Sequence, residues 1–167
     1  RRPVRLADLA EELPDLVDLA PQAGVAITLD VPDGLEVDAD PDQLSRVLVN
    51  LVRNAVQALA QGGAQEGPPG VRVSARRNGE TVTIRVADNG PGVSERGRAR
   101  LFEAFQGGRP GGAGLGLAIC AEIVRAHGGT IALDEAGPGA QFSVVIPDRA
   151  PGAGGHEKGV AKPAATR

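Results

Sequence analysis

Cysteine is almost missing from this chain. The lone Cys120 can form no internal disulfide and no cysteine-based zinc site, which points to a reducing compartment. Aromatic side chains are nearly absent as well: there is no Trp and no Tyr, and the only Phe residues are Phe102, Phe105 and Phe142. A chain so short of rings lacks the stacking platforms that bind single-stranded nucleic acid. It also lacks a basic field, because the formal net charge is -3 at pH 7. Both observations argue against a general nucleic-acid binder. No apolar run approaches the ~20 residues that a membrane span needs. The basic start Arg1-Arg2-Pro3-Val4-Arg5 is not followed by a signal-type apolar region. The expectation is a soluble, cytoplasmic domain without membrane contact. At 167 residues it suits one globular domain with loose ends, large enough to bury a core without disulfides or a structural metal.

Periodicity supplies the elements. Leu6, Leu9, Leu13, Leu16, Val17 and Leu19 recur at helical spacing, so residues 5–20 read as an amphipathic helix that Pro14 would kink or split. Val25, Ile27, Leu29 and Val31 alternate as in a strand. After the turn Pro32-Asp33-Gly34, Leu35-Glu36-Val37 can pair back as a second one. Asp40 caps a long helix starting at Pro41, with Leu44, Val47, Leu48, Leu51, Val52, Ala55 and Leu59 as its apolar face. Residues 62–70 read as a loop. Val71–Arg77 and Thr81–Ala87 flank Asn78-Gly79, a two-residue hairpin signal. A short helix is expected over Arg98–Phe105, loop over 106–114, and a helix from about Leu115 to His127, stopped by Gly128-Gly129. Thr130–Leu133 and Gln141–Ile146 close the pattern as strands across Gly137-Pro138-Gly139. Residues 1–147 form the expected domain. Residues 148–167 are Pro, Gly, Ala and charge without period, and read as a disordered tail. The element order implies an α+β two-layer sandwich, a mostly antiparallel mixed sheet with helices on one face.

Three stretches carry chemistry. Asn50 and Asn54 lie four apart on one face of the long helix, and Gln57 extends the stripe. Carboxamides in an apolar helix need partners, and a magnesium ion with phosphate oxygens is one solution. Taken alone, an exposed polar face with no ligand is the plainer reading. Asp88-Asn89-Gly90-Pro91-Gly92 follows a strand directly. An Asp there can accept a hydrogen bond from a ligand amine while the glycines let the backbone approach; an ordinary Asn-Gly turn explains the stretch equally simply. Gly112-Ala113-Gly114-Leu115-Gly116-Leu117 opens a helix, where unpaired N–H groups bind anions. A loop precedes it and no Gly-Lys-Ser/Thr follows, so it is neither a Rossmann fingerprint nor a Walker loop. On its own it reads as a flexible connector.

In this order the three stretches resemble the ATPase superfamily shared by gyrase, MutL and histidine kinases, and most closely the catalytic ATP-binding domain of sensor histidine kinases, with its Bergerat-type fold. Leu48–Ala55 matches the N box, Asp88–Gly92 the first glycine box, and Leu101–Phe105 the F box. Gly112–Ile119 matches the second glycine box and Gly137–Phe142 the last glycine turn, so the likeness covers roughly residues 4–147. The resemblance implies ATP and Mg2+ as ligands. It makes Asn54 the metal ligand, with Asn50 assisting at the phosphates and Gln57 among the ATP-binding residues. Asp88 would meet the adenine amino group, with Gly90 and Gly92 letting the base sit close. Residues 106–113 would form a lid anchored by Phe102 and Phe105, and the cradle Gly112, Gly114, Leu115 and Gly116 would hold the phosphates.

The resemblance also implies partners, namely a histidine-bearing dimerisation domain and a response regulator, and is compatible with a membrane-anchored parent protein. Relatives that hydrolyse ATP carry Glu where Asn50 stands. Asn50 cannot take a proton, so phosphoryl transfer to a positioned acceptor is expected in place of fast hydrolysis. His127 is expected as a structural cap, and His156 lies in the tail. Arg109 is the only cation of the expected lid and is either a γ-phosphate contact, hence a catalytic residue beside Asn50, or a solvated loop charge. Arg53 reads either as a phosphate contact or as surface, and Ala58 replaces the ring that some relatives place against adenine. Two other functions remain open: a nucleotide-binding module without transfer, and a serine kinase or ATPase of the same superfamily.

Overall fold

Alternating apolar residues decide which face of the sheet is covered. The structure, a computed structural model, describes residues 1–17, 24–105, 114–134 and 139–148, with the backbone alone for 102, 104, 105, 114 and 115. The elements in chain order are β1 (Arg2–Arg5), α1 (Leu6–Leu16), β2 (Ala26–Asp30), β3 (Glu36–Ala39), α2 (Pro41–Gly62), β4 (Gly70–Asn78), β5 (Thr81–Asp88), α3 (Glu95–Phe105), α4 (Gly114–Ala126), β6 (Thr130–Asp134) and β7 (Gln141–Pro147). Five strands form one sheet in the order β2-β4-β5-β7-β6, with β2 and β4 parallel and every other pair antiparallel. The register aligns Val73, Val86, Phe142 and Leu133 in one cross-strand row and Ala75, Ile84, Val144 and Ile131 in the next. These rows join the core beneath α1, α2 and α4, which gives the expected two-layer α+β sandwich. Among the described residues no helix is long and apolar enough to cross a membrane.

Helix α2 begins as its sequence demands. The Asp40 carboxylate accepts from the amides of Asp42 (3.0 Å) and Gln43 (3.2 Å), and Pro41 occupies the first turn, where no partner for its nitrogen is needed. Its buried stripe from Leu44 to Leu59 matches the expected apolar face and adds Val56.

Several expectations are corrected. Arg5, expected to open the helix, instead ends a strand over residues 2–5, and this β1 pairs with β3 in a separate two-stranded sheet, Val4 opposite Val37. The expected β2–β3 pair does not form. Ile27 and Leu29 of β2 lie alongside Val71 and Val73 in β4, which joins them to the main core. Pairing with a distant strand is decided by this burial, which local periodicity does not encode. The hairpin loop is Gly79-Glu80, one residue later than expected, because Asn78 still pairs with Thr81. Gly79 at φ 62° takes the left-handed position. Helix α3 starts three residues early because the Ser94 hydroxyl caps it, accepting from the Gly97 amide at 3.0 Å. Helix α1 continues past Pro14 to Leu16, and the rest of its expected span, 18–20, lies outside the described residues. Asp148, expected at the head of the tail, is buried in the domain. Its amide donates to the Glu80 carbonyl (2.7 Å) and its carboxylate pairs with Arg77. Residues 149–167 lie outside the described residues.

His127 does cap a helix, and it also joins two. The Asp40 amide donates to Nε2 at 3.1 Å, so Nδ1 carries the proton and donates to the Ile123 carbonyl at 2.8 Å. The end of α4 is thereby tied to the start of α2. Directly beyond, Gly129 lies so close to β7 that an added Cβ would stand 3.3 Å from Ile146 Cα, inside the Val145 carbonyl.

Cys120 is fully buried under α2. Burial pushes its thiol up to about 11, opposed by a hydrogen bond with Asn50 and by the charge of Arg46. The folded value exceeds the ordinary 9.0, so the buried thiol favours folding below that pH and loses this contribution as pH rises towards about 11. Maleimide at neutral pH is therefore expected to label Cys120 only after unfolding, and rapid labelling of the native protein would contradict this burial. His127→Ala is expected to cost about 2–4 kcal/mol in a urea titration, from two lost hydrogen bonds and a cavity. A cost below about 0.5 kcal/mol would remove the ring from its bridging role.

Candidate functional site

Two groups of residues meet α2, one midway along it at Asn50 and one near its C-terminal end at Leu59 and Gly62. Asn50 is half-buried, and the first turn of α4 reaches it: an added Cβ at Gly116 would stand 3.7 Å from both Asn50 Cγ and Oδ1. One turn further along α4, Cys120 lies against Val47 and hydrogen-bonds with Asn50. The carboxamide of Asn50 is thus held between a glycine backbone and a neutral thiol. Asn54 is half-buried one turn along α2, and its side chain makes no hydrogen bond with another described residue. Gln57 and Arg53 are exposed, and Ala58 is half-buried.

The second group is the end of β5. Asp88 Oδ1 accepts from the Gly90 amide (2.8 Å) and the Ala140 amide (3.3 Å), while the Asp88 amide donates to the Ala140 carbonyl (3.0 Å). Both side-chain bonds end on Oδ1, and among the described residues none ends on Oδ2. The carboxylate is therefore fixed in direction with one oxygen left over. Gly139 packs on it so tightly that an added Cβ would stand 2.8 Å from Oδ1 and overlap the Asp88 carbonyl. Gly90 lies on α2, with an added Cβ 3.3 Å from Leu59 Cδ2, and Pro91 lies on Gly62. Gly92 takes φ 82°, which an L side chain adopts with strain.

Sequence reasoning missed Asn89. Its Nδ2 donates to the carbonyls of Glu66 (2.9 Å) and Pro68 (2.8 Å), its Oδ1 accepts from the Gly70 amide (2.9 Å), and its own carbonyl accepts from the Gln65 amide (2.7 Å). An Asn-Gly dipeptide signals a turn, and nothing local shows that the side chain reaches a loop some twenty residues earlier. The contact between Cys120 and Asn50 was likewise not legible.

Of the remaining expected site residues, Arg109, Gly112 and the lid 106–113 lie outside the described residues, as do Gly137 and Pro138. Gly114 and Leu115 form the first turn of α4 and Phe105 ends α3. The side-chain roles expected of Phe102, Phe105 and Leu115 lie outside what the structure describes.

The donor set also discriminates among metals. Among the described residues no group of three or more His, Cys, Asp or Glu could hold an ion. A zinc site is therefore not built from them. Magnesium takes one or two protein oxygens and completes its shell with water and phosphate. A half-buried carboxamide without a protein partner, as at Asn54, fits that role.

Comparison with known proteins agrees with this geometry. The chain is 38% identical over 148 residues to the alginate biosynthesis sensor protein KinB of Pseudomonas aeruginosa, covering 80% of this chain and 24% of that protein. It is 34% identical over 154 residues to the sensory histidine kinase/phosphatase NtrB of Klebsiella oxytoca, covering 84% of this chain and 42% of that one. The chain thus spans less than half the length of these relatives. Among solved structures, the catalytic domain of histidine kinase ThkA superposes with a TM-score of 0.72 at 26% identity, covering 87% of this chain and 94% of that one. Full-length ShkA in complex with AMPPNP superposes with a TM-score of 0.68 at 35% identity, covering 87% of this chain and 30% of that one. Residues 39–150, which include Asn50, Asn54, Asp88 and Gly116, match a family model, and the chain belongs to the histidine kinase-, DNA gyrase B- and HSP90-like ATPase family.

Proposed function

We propose that this chain is the Mg-ATP-binding catalytic domain of a two-component sensor histidine kinase, acting on the cytoplasmic side and donating the γ-phosphoryl group to a histidine on a separate dimerisation domain. The observation that carries this reading is the placement of two polar groups along one helix. The start of α4 meets α2 at Asn50, and the Asp88 turn meets it at Leu59. Nine residues of helix separate the two, about 13 Å, a span that an extended nucleoside triphosphate can bridge. The AMPPNP complex of ShkA, 35% identical over the shared fold, supports the same ligand class.

In this reading the free Asp88 oxygen accepts from the adenine amino group, and the glycine turns at 90, 92 and 139 keep side chains out of the base's way. Gly114 and Gly116 offer the unpaired amides of the α4 start to phosphate oxygens. Asn54 would hold Mg2+ through its carboxamide oxygen, and the ion when bound neutralises phosphate charge. Asn50 lies beside the same phosphates. It has no proton-accepting carboxylate, so this chain contributes positioning and charge complement and leaves the nucleophile to its partner. Arg109 enters this reading only as the sole cation of the expected lid, and Gln57 only as the continuation of the polar stripe of Asn50 and Asn54. A response regulator is the next acceptor in such a system.

Calorimetry with Mg2+ is expected to show ATP uptake, weakened at least about tenfold by Asp88→Ala through the loss of one charge-assisted hydrogen bond. In Asn54→Ala the dependence of affinity on magnesium should flatten. Undiminished binding in both variants would sink the assignment. Labelled ATP supplied together with a separate histidine-bearing domain should place phosphohistidine on that domain and none on this chain, with negligible turnover by the chain alone. Binding without transfer would mark a nucleotide-binding module, and rapid turnover by the isolated chain a hydrolytic or serine-directed enzyme.

A further inference from the structure

Asn89 directly follows Asp88, yet its hydrogen bonds all lead away from the carboxylate. The backbone hydrogen bonds made by Gln65, Glu66 and Pro68 end on Asn89, and so does the side-chain bond from the Gly70 amide. An Asn-Gly turn requires none of them. Both Nδ2 hydrogens and the Oδ1 acceptor are used, so the orientation of the carboxamide is fixed by its partners. Few side chains can do this. Aspartate would set an oxygen against two carbonyls, and glutamine would be one carbon too long.

The clamp closes a ring of structure. Helix α2 ends at Gly62, residues 63–69 follow, and β4 starts at Gly70. Pro91 packs on Gly62 and Gly90 on Leu59, so the turn after Asp88 is seated on α2 as well as on this loop. The loop, the helix end and the strand end are therefore tied to one another, with Asp88 Oδ2 as the unspent acceptor.

We propose that Asn89 is a positioning residue for the nucleotide base: by clamping residues 65–70 to the end of β5 it fixes the direction in which Asp88 presents its free oxygen. This rests on the reading of Asp88 as the adenine contact. Asn89 touches no part of the nucleotide in this account. It sets base selectivity through its neighbour.

The test compares ATP with inosine triphosphate, which carries a carbonyl in place of the adenine amine. Affinities of wild type, Asn89→Asp and Asn89→Ser are measured by calorimetry with Mg2+, well below each protein's melting temperature. The serine variant keeps one donor and one acceptor and covers the case in which the aspartate variant fails to fold. Wild type should prefer ATP by at least about tenfold, and the variants by less than about threefold, with affinity for inosine triphosphate little changed. If the variants melt earlier but keep the full preference, Asn89 braces the loop and nothing more, and the inference is overturned. Wild type binding both nucleotides equally would overturn the Asp88 assignment itself.

Discussion

Helix α2 must satisfy two contacts at once, and the site follows from that constraint. Its buried stripe, Leu44 to Leu59, seats it on the sheet and between α1 and α4. Each such Leu or Val contributes about 1.5–3 kcal/mol on burial, so rotation of the helix about its axis is strongly opposed. With the axis fixed, Asn50 has to lie at the edge where α4 begins, and Leu59 and Gly62 have to lie under the Asp88 turn. Neither polar group could be placed by its own segment. A loop that carried Asp88 without a helix to rest on would have no defined distance to Asn50.

The same packing explains why an amide suits position 50. Its neighbours there are a glycine backbone and a buried thiol held neutral. A carboxylate in that place would lose water on the α4 side, at a desolvation cost that the charge of Arg46 opposes. A neutral carboxamide avoids this cost while still offering an oxygen and two N–H donors. A carboxamide, which cannot take a proton, is thus compatible with the packing of α2 against α4 at this position.

Much of this was legible in the sequence, and the misses have a common cause. The α2 stripe, the Asp40 cap, the two hairpin strands around residue 79 and the Asp88 strand end are all set by local pattern, and they appear where expected. The pairing of β1 with β3, the parallel contact of β2 with β4, and the reach of Asn89 to the 65–70 loop depend on residues far apart in the chain. Periodicity shows that Val4 and Ile27 each need a partner; it does not show which strand supplies it. Ser94 was a different case. A hydroxyl three residues before Gly97 is a local capping signal, and the low helix propensity of Gly97 itself masked the helix that it starts.

The sheet itself separates stability from function. At one end of β4 and β5, Arg77 donates to the Glu36 carbonyl (3.0 Å) and pairs with the buried Asp148, whose amide is held by Glu80. This knot joins β3, the hairpin and the chain beyond β7. At the other end the same two strands finish at Gly70 and Asp88, where the side chains of Asn89 and Asp88 tie the strand ends to the neighbouring turns. Five paired positions, Arg72 to Arg76, lie between Val71 and Arg77 and separate the ends. Breaking the Arg77–Asp148 pair would remove the guanidinium from a buried carboxylate and cost several kcal/mol. Yet sites so far apart couple weakly, so that loss would not pass to Asp88. The strand ends at Asp88 can therefore carry close contacts and unsatisfied acceptors because the opposite ends carry the ties that keep the sheet in register.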